Sequence, residues 1–143
     1  AVSGGSTPKG FFTALSKMDL PWSNITITLA DERWVDFDSE ASNTRLVHEN
    51  LLQNKAVAAK FFHLKQGKEL TQETLVDLNI AAKSTLLPLD VLILGMGEDG
   101  HTASLFPNTG LLMENSSSFL KNELPSGEFR YSIFWVADSG LNS

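Results

Sequence analysis

What the chain lacks bounds it first. It has no cysteine, which excludes disulfides, a thiol nucleophile and a cysteine-ligated metal. It is short of positive charge: Lys and Arg number 11 against 17 Asp and Glu, a formal net charge of −6. General nucleic-acid binding leans on a basic surface, and this balance argues against it. A small anionic substrate stays open, because a few local donors can hold one phosphate on an acidic protein. No apolar run approaches the roughly 18 residues that span a bilayer, and the opening residues do not have the pattern of a secretory signal. Neither nucleic acid nor membrane is therefore an expected partner. What is present, 42% hydrophobic and 20% charged residues over 143 positions, is the composition of one ordinary globular domain.

An initiator Met is missing too. The chain opens on Ala1-Val2, the stub of a strand directly before a glycine-rich turn, and Gly140 to Ser143 is no obvious terminus. The expectation is a single domain over 1–143 that is a fragment lacking N- and C-terminal elements.

Short apolar runs alternate with longer helical patterns, the signature of βαβ units around a mostly parallel sheet. A helix is predicted over 8–16, with Thr7 as N-cap, Pro8 in the first position and Phe11, Phe12 and Leu15 as its apolar stripe. Residues 25–30 alternate like a strand, and 31–40 read as an acidic loop. A helix over 42–52 should bury Leu46, Val47, Leu51 and Leu52. A short strand follows at 61–64, then a helix over 70–86 with Leu75, Leu78 and Ala82 inward. The run Asp90-Val-Leu-Ile-Leu94 predicts a central parallel strand covered on both faces. Residues 111–123 are ambiguous between loop and short helix, and 130–136 predict a further strand.

Three segments could carry chemistry. In Ser3-Gly4-Gly5-Ser6-Thr7-Pro8, glycines permit tight turns, hydroxyls donate, and the following helix N-terminus offers N–H groups and a partial positive charge, a ready site for phosphate. Asp31-Glu32-Arg33-Trp34 stands at the carboxyl end of a predicted strand, where α/β sheets gather ligands; its arginine could stabilise an oxyanion or phosphate. The same stretch leads to Ser42-Asn43 and Arg45, where polar donors start a helix. In Gly95-Met-Gly-Glu-Asp-Gly-His101-Thr-Ala-Ser-Leu-Phe-Pro107, a glycine turn after the best strand brings His101 to the sheet mouth as a general acid or base. His48 and His63 receive no function, and no two histidines have metal-ligand spacing. Gly95-x-Gly97-x-x-Gly100 matches the dinucleotide-binding pattern, but Glu98 and Asp99 would face the pyrophosphate and Pro107 leaves little room for the helix that should hold it.

Taken together and in order, Ser3–Pro8, Asp31-Glu32-Arg33, Ser42-Asn43 and Leu94–Pro107 resemble the 6-phosphogluconolactonase family. The resemblance is weaker after Pro107, although Arg130-Tyr-Ser-Ile133 looks like the family's arginine-led strand. It implies an α/β fold with a three-layer, Rossmann-like, mostly parallel sheet of the sugar-phosphate isomerase and CoA transferase type. It implies metal-independent hydrolysis of 6-phospho-D-glucono-1,5-lactone to 6-phospho-D-gluconate, no cofactor, a cytoplasmic location, and glucose-6-phosphate dehydrogenase as functional neighbour. The related deaminases carry a glutamate just before the final proline, where this chain has Phe106, and a tyrosine where it has Arg33. Both differences favour lactone hydrolysis over the alternatives, a glucosamine-6-phosphate deaminase or sugar-phosphate isomerase and a non-catalytic phosphosugar-binding module.

On this reading His101 activates water and returns the proton to the ring oxygen. Arg33 and the Gly97–Gly100 turn stabilise the oxyanion, and Asp31 orients His101 or Arg33. The phosphate sits on Gly4, Gly5, Ser6 and Thr7, helped by Arg45 and by Arg130 or Lys9. Asn43, Gly97, Asp99 and Gly100 complete the expected substrate site.

Overall fold

The computed structural model describes residues 1–66, 69, 71–98 and 100, with the backbones of two further strands at 119–123 and 129–133. In chain order the elements are α1 (Lys9–Ser16), β1 (Thr26–Ile27), β2 (Asp31–Arg33), α2 (Asn43–Asn50), β3 (Lys60–Phe61), α3 (Gln72–Thr85), β4 (Phe119–Glu123) and β5 (Phe129–Ile133).

The strands predicted at 25–30 and 61–64 are shorter than their sequence patterns, but they meet in parallel as expected, whereas the one predicted at 130–136 pairs antiparallel. β1 pairs with β3, Thr26 opposite Lys60 and Ile27 opposite Phe61. Beyond β1, Val2 forms parallel bridges to Leu29 on one side and Ile93 on the other. Backbone bonds secure both flanks: Val2 N–H donates to Thr28 O (3.0 Å), Ala30 N–H to Val2 O (2.8 Å), Ile93 N–H to Ala1 O (2.9 Å) and Ser3 N–H to Ile93 O (3.1 Å). Val2 therefore holds the inner position, 7% exposed, and the 90–94 run is not enclosed: Val91 is 64%, Ile93 38% and Leu94 48% exposed. A continuous apolar run shows that two faces could be covered; pairing decides which segment is inside.

A second sheet has the order β2-β5-β4, antiparallel throughout. It corrects the reading of 31–40 as wholly loop. Asp, Glu and Arg are poor strand formers, but β5 supplies cross-strand partners from a hundred residues away (Asp31 opposite Ser132, Glu32 opposite Tyr131, Arg33 opposite Arg130), and pairing overrides propensity. β4 likewise takes the end of the ambiguous 111–123 stretch.

The helices bury much of the stripes their spacing suggests, with Leu15, Leu46 and Leu52 only half-buried. Phe12, Val47, Leu51, Leu75, Leu78 and Ala82 join Leu29 and Leu64 in the core, and α1 packs against α2. Phe11, predicted as part of the α1 stripe, is instead 47% exposed. α1 starts one residue later than predicted: Pro8 stands at the cap position, and no side chain, Thr7 included, makes a capping bond there. α3 starts from a reciprocal capping box between Thr71 and Thr74. Among the described residues no helix is long and apolar enough to cross a membrane.

Candidate active site

The site is organised by a residue that looked incidental in the sequence. Glu32 is 2% exposed, and its carboxylate is saturated with donors. Oε1 accepts from the Arg33 N–H (2.8 Å) and the Asn43 N–H (2.9 Å). Oε2 accepts from the Thr44 N–H (2.9 Å), Thr44 Oγ1 (2.7 Å) and Ser42 Oγ (3.2 Å). A buried carboxylate is tolerable when its lone pairs are filled this way, and the α2 N-terminus adds the favourable end of the helix dipole. Ser42 completes the cap by accepting from the Arg45 N–H at 3.2 Å. The result fastens β2 to the start of α2.

From that joint Asn43 reaches back to the glycine loop. Its Nδ2 donates to Asp31 O at 3.1 Å, and its amide lies so close to Gly4 that any Cβ there would overlap it. Gly5 needs its lack of side chain for a different reason, a φ of 98°. On the other side of the loop Ser3 Oγ donates to Ile93 O (3.1 Å) and accepts from the Gly95 N–H (3.2 Å). One hydroxyl thus ties the first glycine segment to the start of the third.

These links surround a cavity of about 510 Å³. Gly4, Gly5 and Thr7 line it from the first segment, Asp31 and Arg33 from β2, Asn43 from α2, and Gly95, Met96 and Gly97 from the third segment. The structure therefore brings together seven of the sequence-predicted site residues: Gly4, Gly5, Thr7, Asp31, Arg33, Asn43 and Gly97. Arg33 places its NH1 on Ala41 O (3.2 Å), while its Nε is buried without a partner among the described residues. A buried N–H left in that state carries the cost of an unsatisfied donor. The Gly97–Gly100 turn closes by Gly100 N–H to Gly97 O (3.0 Å), with Gly100 at φ 86°.

Other predicted residues stand elsewhere. Ser6 is exposed and does not line the cavity. Arg45 does not line it either, because its guanidinium is engaged outside: Nε on Glu49 Oε1 (2.7 Å) and NH1 on Asp38 O (2.6 Å). The Glu49 hydrogen bond and charge raise the Arg45 pKa above its ordinary value. Arg130 enters at the backbone level as the register partner of Arg33. His101 and Asp99 lie outside the described residues. His48 and His63, assigned no function, pack with Phe61, the two imidazoles stacked at 6.1 Å between centroids. Among the described residues no group of three or more His, Cys, Asp or Glu could hold a metal.

Sequence reasoning missed Glu32, which stood beside Asp31 with no role of its own, and Ser3, treated as part of a turn. A signal for Glu32 existed: an acid beside an arginine, followed by Ser42-Asn43-Thr44, a run of helix-start donors wanting an acceptor.

The fold and cavity define an α/β protein with a pocket lined by a glycine loop beside a small parallel sheet. Comparison with known proteins makes the class specific. The model of the glucosamine-6-phosphate isomerases/6-phosphogluconolactonase family matches residues 1–129, and the chain belongs to that family. The 6-phosphogluconolactonase of Rhizobium meliloti is 49% identical over 114 residues, 80% of this chain and 49% of its own. That of Neisseria meningitidis serogroup A is 54% identical over 111 residues, 75% of this chain and 47% of its own. The crystal structure of a 6-phosphogluconolactonase from Shewanella baltica superposes with a TM-score of 0.85 at 40% identity, covering 92% of this chain and 58% of that one. The chain spans about half the length of the curated relatives it matches.

Proposed function

We propose that this protein hydrolyses 6-phospho-D-glucono-1,5-lactone to 6-phospho-D-gluconate in the oxidative pentose phosphate pathway. The observation that carries the reading is the convergence of the uncapped glycine loop, Asp31, Arg33, Asn43 and the Gly95–Gly97 backbone on one cavity. The relatives' shared name supports it. The finer fold that accompanies this reading is the three-layer arrangement of the sugar-phosphate isomerase type.

In the mechanism, the phosphate occupies the Gly4–Thr7 loop at the start of α1, where free N–H groups and the helix dipole favour it. His101 takes a proton from water as the water oxygen bonds to the lactone C1. The Arg33 guanidinium and the N–H groups of the Gly97–Gly100 turn receive the charge that develops on the carbonyl oxygen. The tetrahedral adduct collapses by breaking the bond from C1 to the ring oxygen, which takes the proton back from His101. Asp31 orients the imidazole or the guanidinium, and Gly97, Asp99 and Gly100 shape the turn. Arg130 or Lys9 helps to hold the phosphate. The phosphosugar lactone is the partner, glucose-6-phosphate dehydrogenase its source, and the cytoplasm the setting.

The test is lactone turnover with spontaneous hydrolysis subtracted. His101→Ala should lower kcat about 10²–10⁴-fold, the usual range for a general acid–base. Undiminished turnover in that variant would remove His101 from the mechanism, and release of ammonia from glucosamine 6-phosphate by the unmodified protein would replace the lactonase reading with deamination.

A further inference from the structure

We infer that Glu32 is a positioning residue of the site, acting through Arg33 and Asn43. The kinetic part of this inference rests on the proposed lactonase reading; the structural part does not. Glu32 does not itself line the cavity, but it bonds the backbone N–H groups of two residues that do. Its Oε1 holds the N–H groups of Arg33 and Asn43 together, at 2.8 and 2.9 Å. Both residues line the pocket, Arg33 from β2 and Asn43 from α2. Asn43 in turn fixes the Asp31 carbonyl and abuts Gly4. Displacing one carboxylate therefore shifts the proposed oxyanion donor, the orienting acid and the phosphate loop as a set. Ser42 and Thr44 alone would cap α2; the pairing of a β2 amide with an α2 amide on the same oxygen is what a cap does not require.

The geometry also says why the residue is an acid. Five donors meet two oxygens, and three of the five are backbone N–H groups that cannot turn away. Glutamine keeps only one acceptor oxygen. With that oxygen in the Oε1 place, its NH₂ confronts the Thr44 N–H. With the orientation reversed, it confronts those of Arg33 and Asn43. Either way a buried donor is orphaned.

The experiment compares the unmodified chain with Glu32→Gln and Thr44→Val, the second variant removing one hydroxyl donor while leaving the carboxylate. Amide hydrogen exchange is measured by NMR alongside steady-state kinetics. In Glu32→Gln the Arg33, Asn43 and Thr44 amides should exchange faster while that of Phe12 in the core keeps its protection. Lactone kcat should fall about 10²-fold, the cost of a small misplacement far from the chemistry, and KM should rise because the phosphate loop shifts as well. Thr44→Val should show the same signature, weaker, and it decides the matter if Glu32→Gln does not fold. Unchanged exchange at Arg33 and Asn43 overturns the inference, as does a loss of activity that follows only the folded fraction. If the unmodified protein turns over no lactone, the functional reading fails, and the exchange data still judge Glu32.

Discussion

Two eight-residue helices begin beside the same cavity, and their first turns are treated in opposite ways. At α2 the N–H groups of Asn43, Thr44 and Arg45 are consumed by Glu32 and Ser42, all of them within the protein. At α1 no side chain caps the helix; Pro8 has no N–H to offer, and Gly4, Gly5 and Thr7 face the cavity. A helix dipole is thus no binding site by itself. The end already carrying a buried carboxylate repels a second anion and serves as a joint; the end left uncapped is where a phosphate gains the most.

The contrast depends on the contact that connects the two ends, and breaking that contact should have the largest effect. Gly4→Ala drives a methyl group into the Asn43 amide. Overpacking of this kind costs about 1–3 kcal/mol, and here it also pushes the anion loop away from Arg33. Thermal melting should show the loss of stability, and titration with 6-phosphogluconate should show a weaker complex. Wild-type behaviour in both would mean that loop and α2 move independently, so that one end does not set the other.

A smaller pair of changes sharpens the comparison. Ser42→Ala removes a cap bond and should cost about 1 kcal/mol of stability, read as a lower Tm. Thr7→Ala removes no cap bond, so Tm should stay where it is while KM for the phosphorylated lactone rises. Should Thr7→Ala lower Tm as much as Ser42→Ala does, α1 is capped in solution after all and the distinction between the two ends collapses.

How far these features could be read from residues alone follows the same division. Local signals were legible: the Leu75, Leu78 and Ala82 spacing of α3, the polar helix start at Ser42-Asn43, and the glycine loop before a helix. So were three segments destined to pair in parallel. Long-range pairing was not legible. Asp31–Arg33 is a strand only because β5 lies beside it, and nothing in Asp-Glu-Arg announces a partner near residue 131. Glu32 was misjudged for a related reason: its role lies in donors ten to twelve residues on, brought to it by a turn. Arg45 was misplaced because helical spacing puts Glu49 one turn away, a nearer partner than any ligand.

The least of the expected effects concerns the outer side of α2, where His48 stacks on His63. Burial, then the neighbouring His48, lowers the His63 pKa below its ordinary 6.5, against an opposing pull from Glu32. Its Nδ1 is buried with no partner among the described residues, so no hydrogen bond at that atom rewards protonation. The sign follows from linkage: below pH 6.5 the unfolded chain takes up a proton that the folded chain resists, the unfolded state binds more protons, and stability rises with pH across that window. Stability from this source is complete above the unfolded value and is lost as pH falls toward the folded one. His63→Phe keeps a ring against Phe61 and cannot titrate, so its Tm should depend less on pH between 5 and 7 than the wild-type Tm does. Thr7→Ala, at the other helix end, should leave that pH dependence untouched. An equal slope in His63→Phe and wild type would show that acid sensitivity arises elsewhere, and that the imidazole stack on α2 is packing alone.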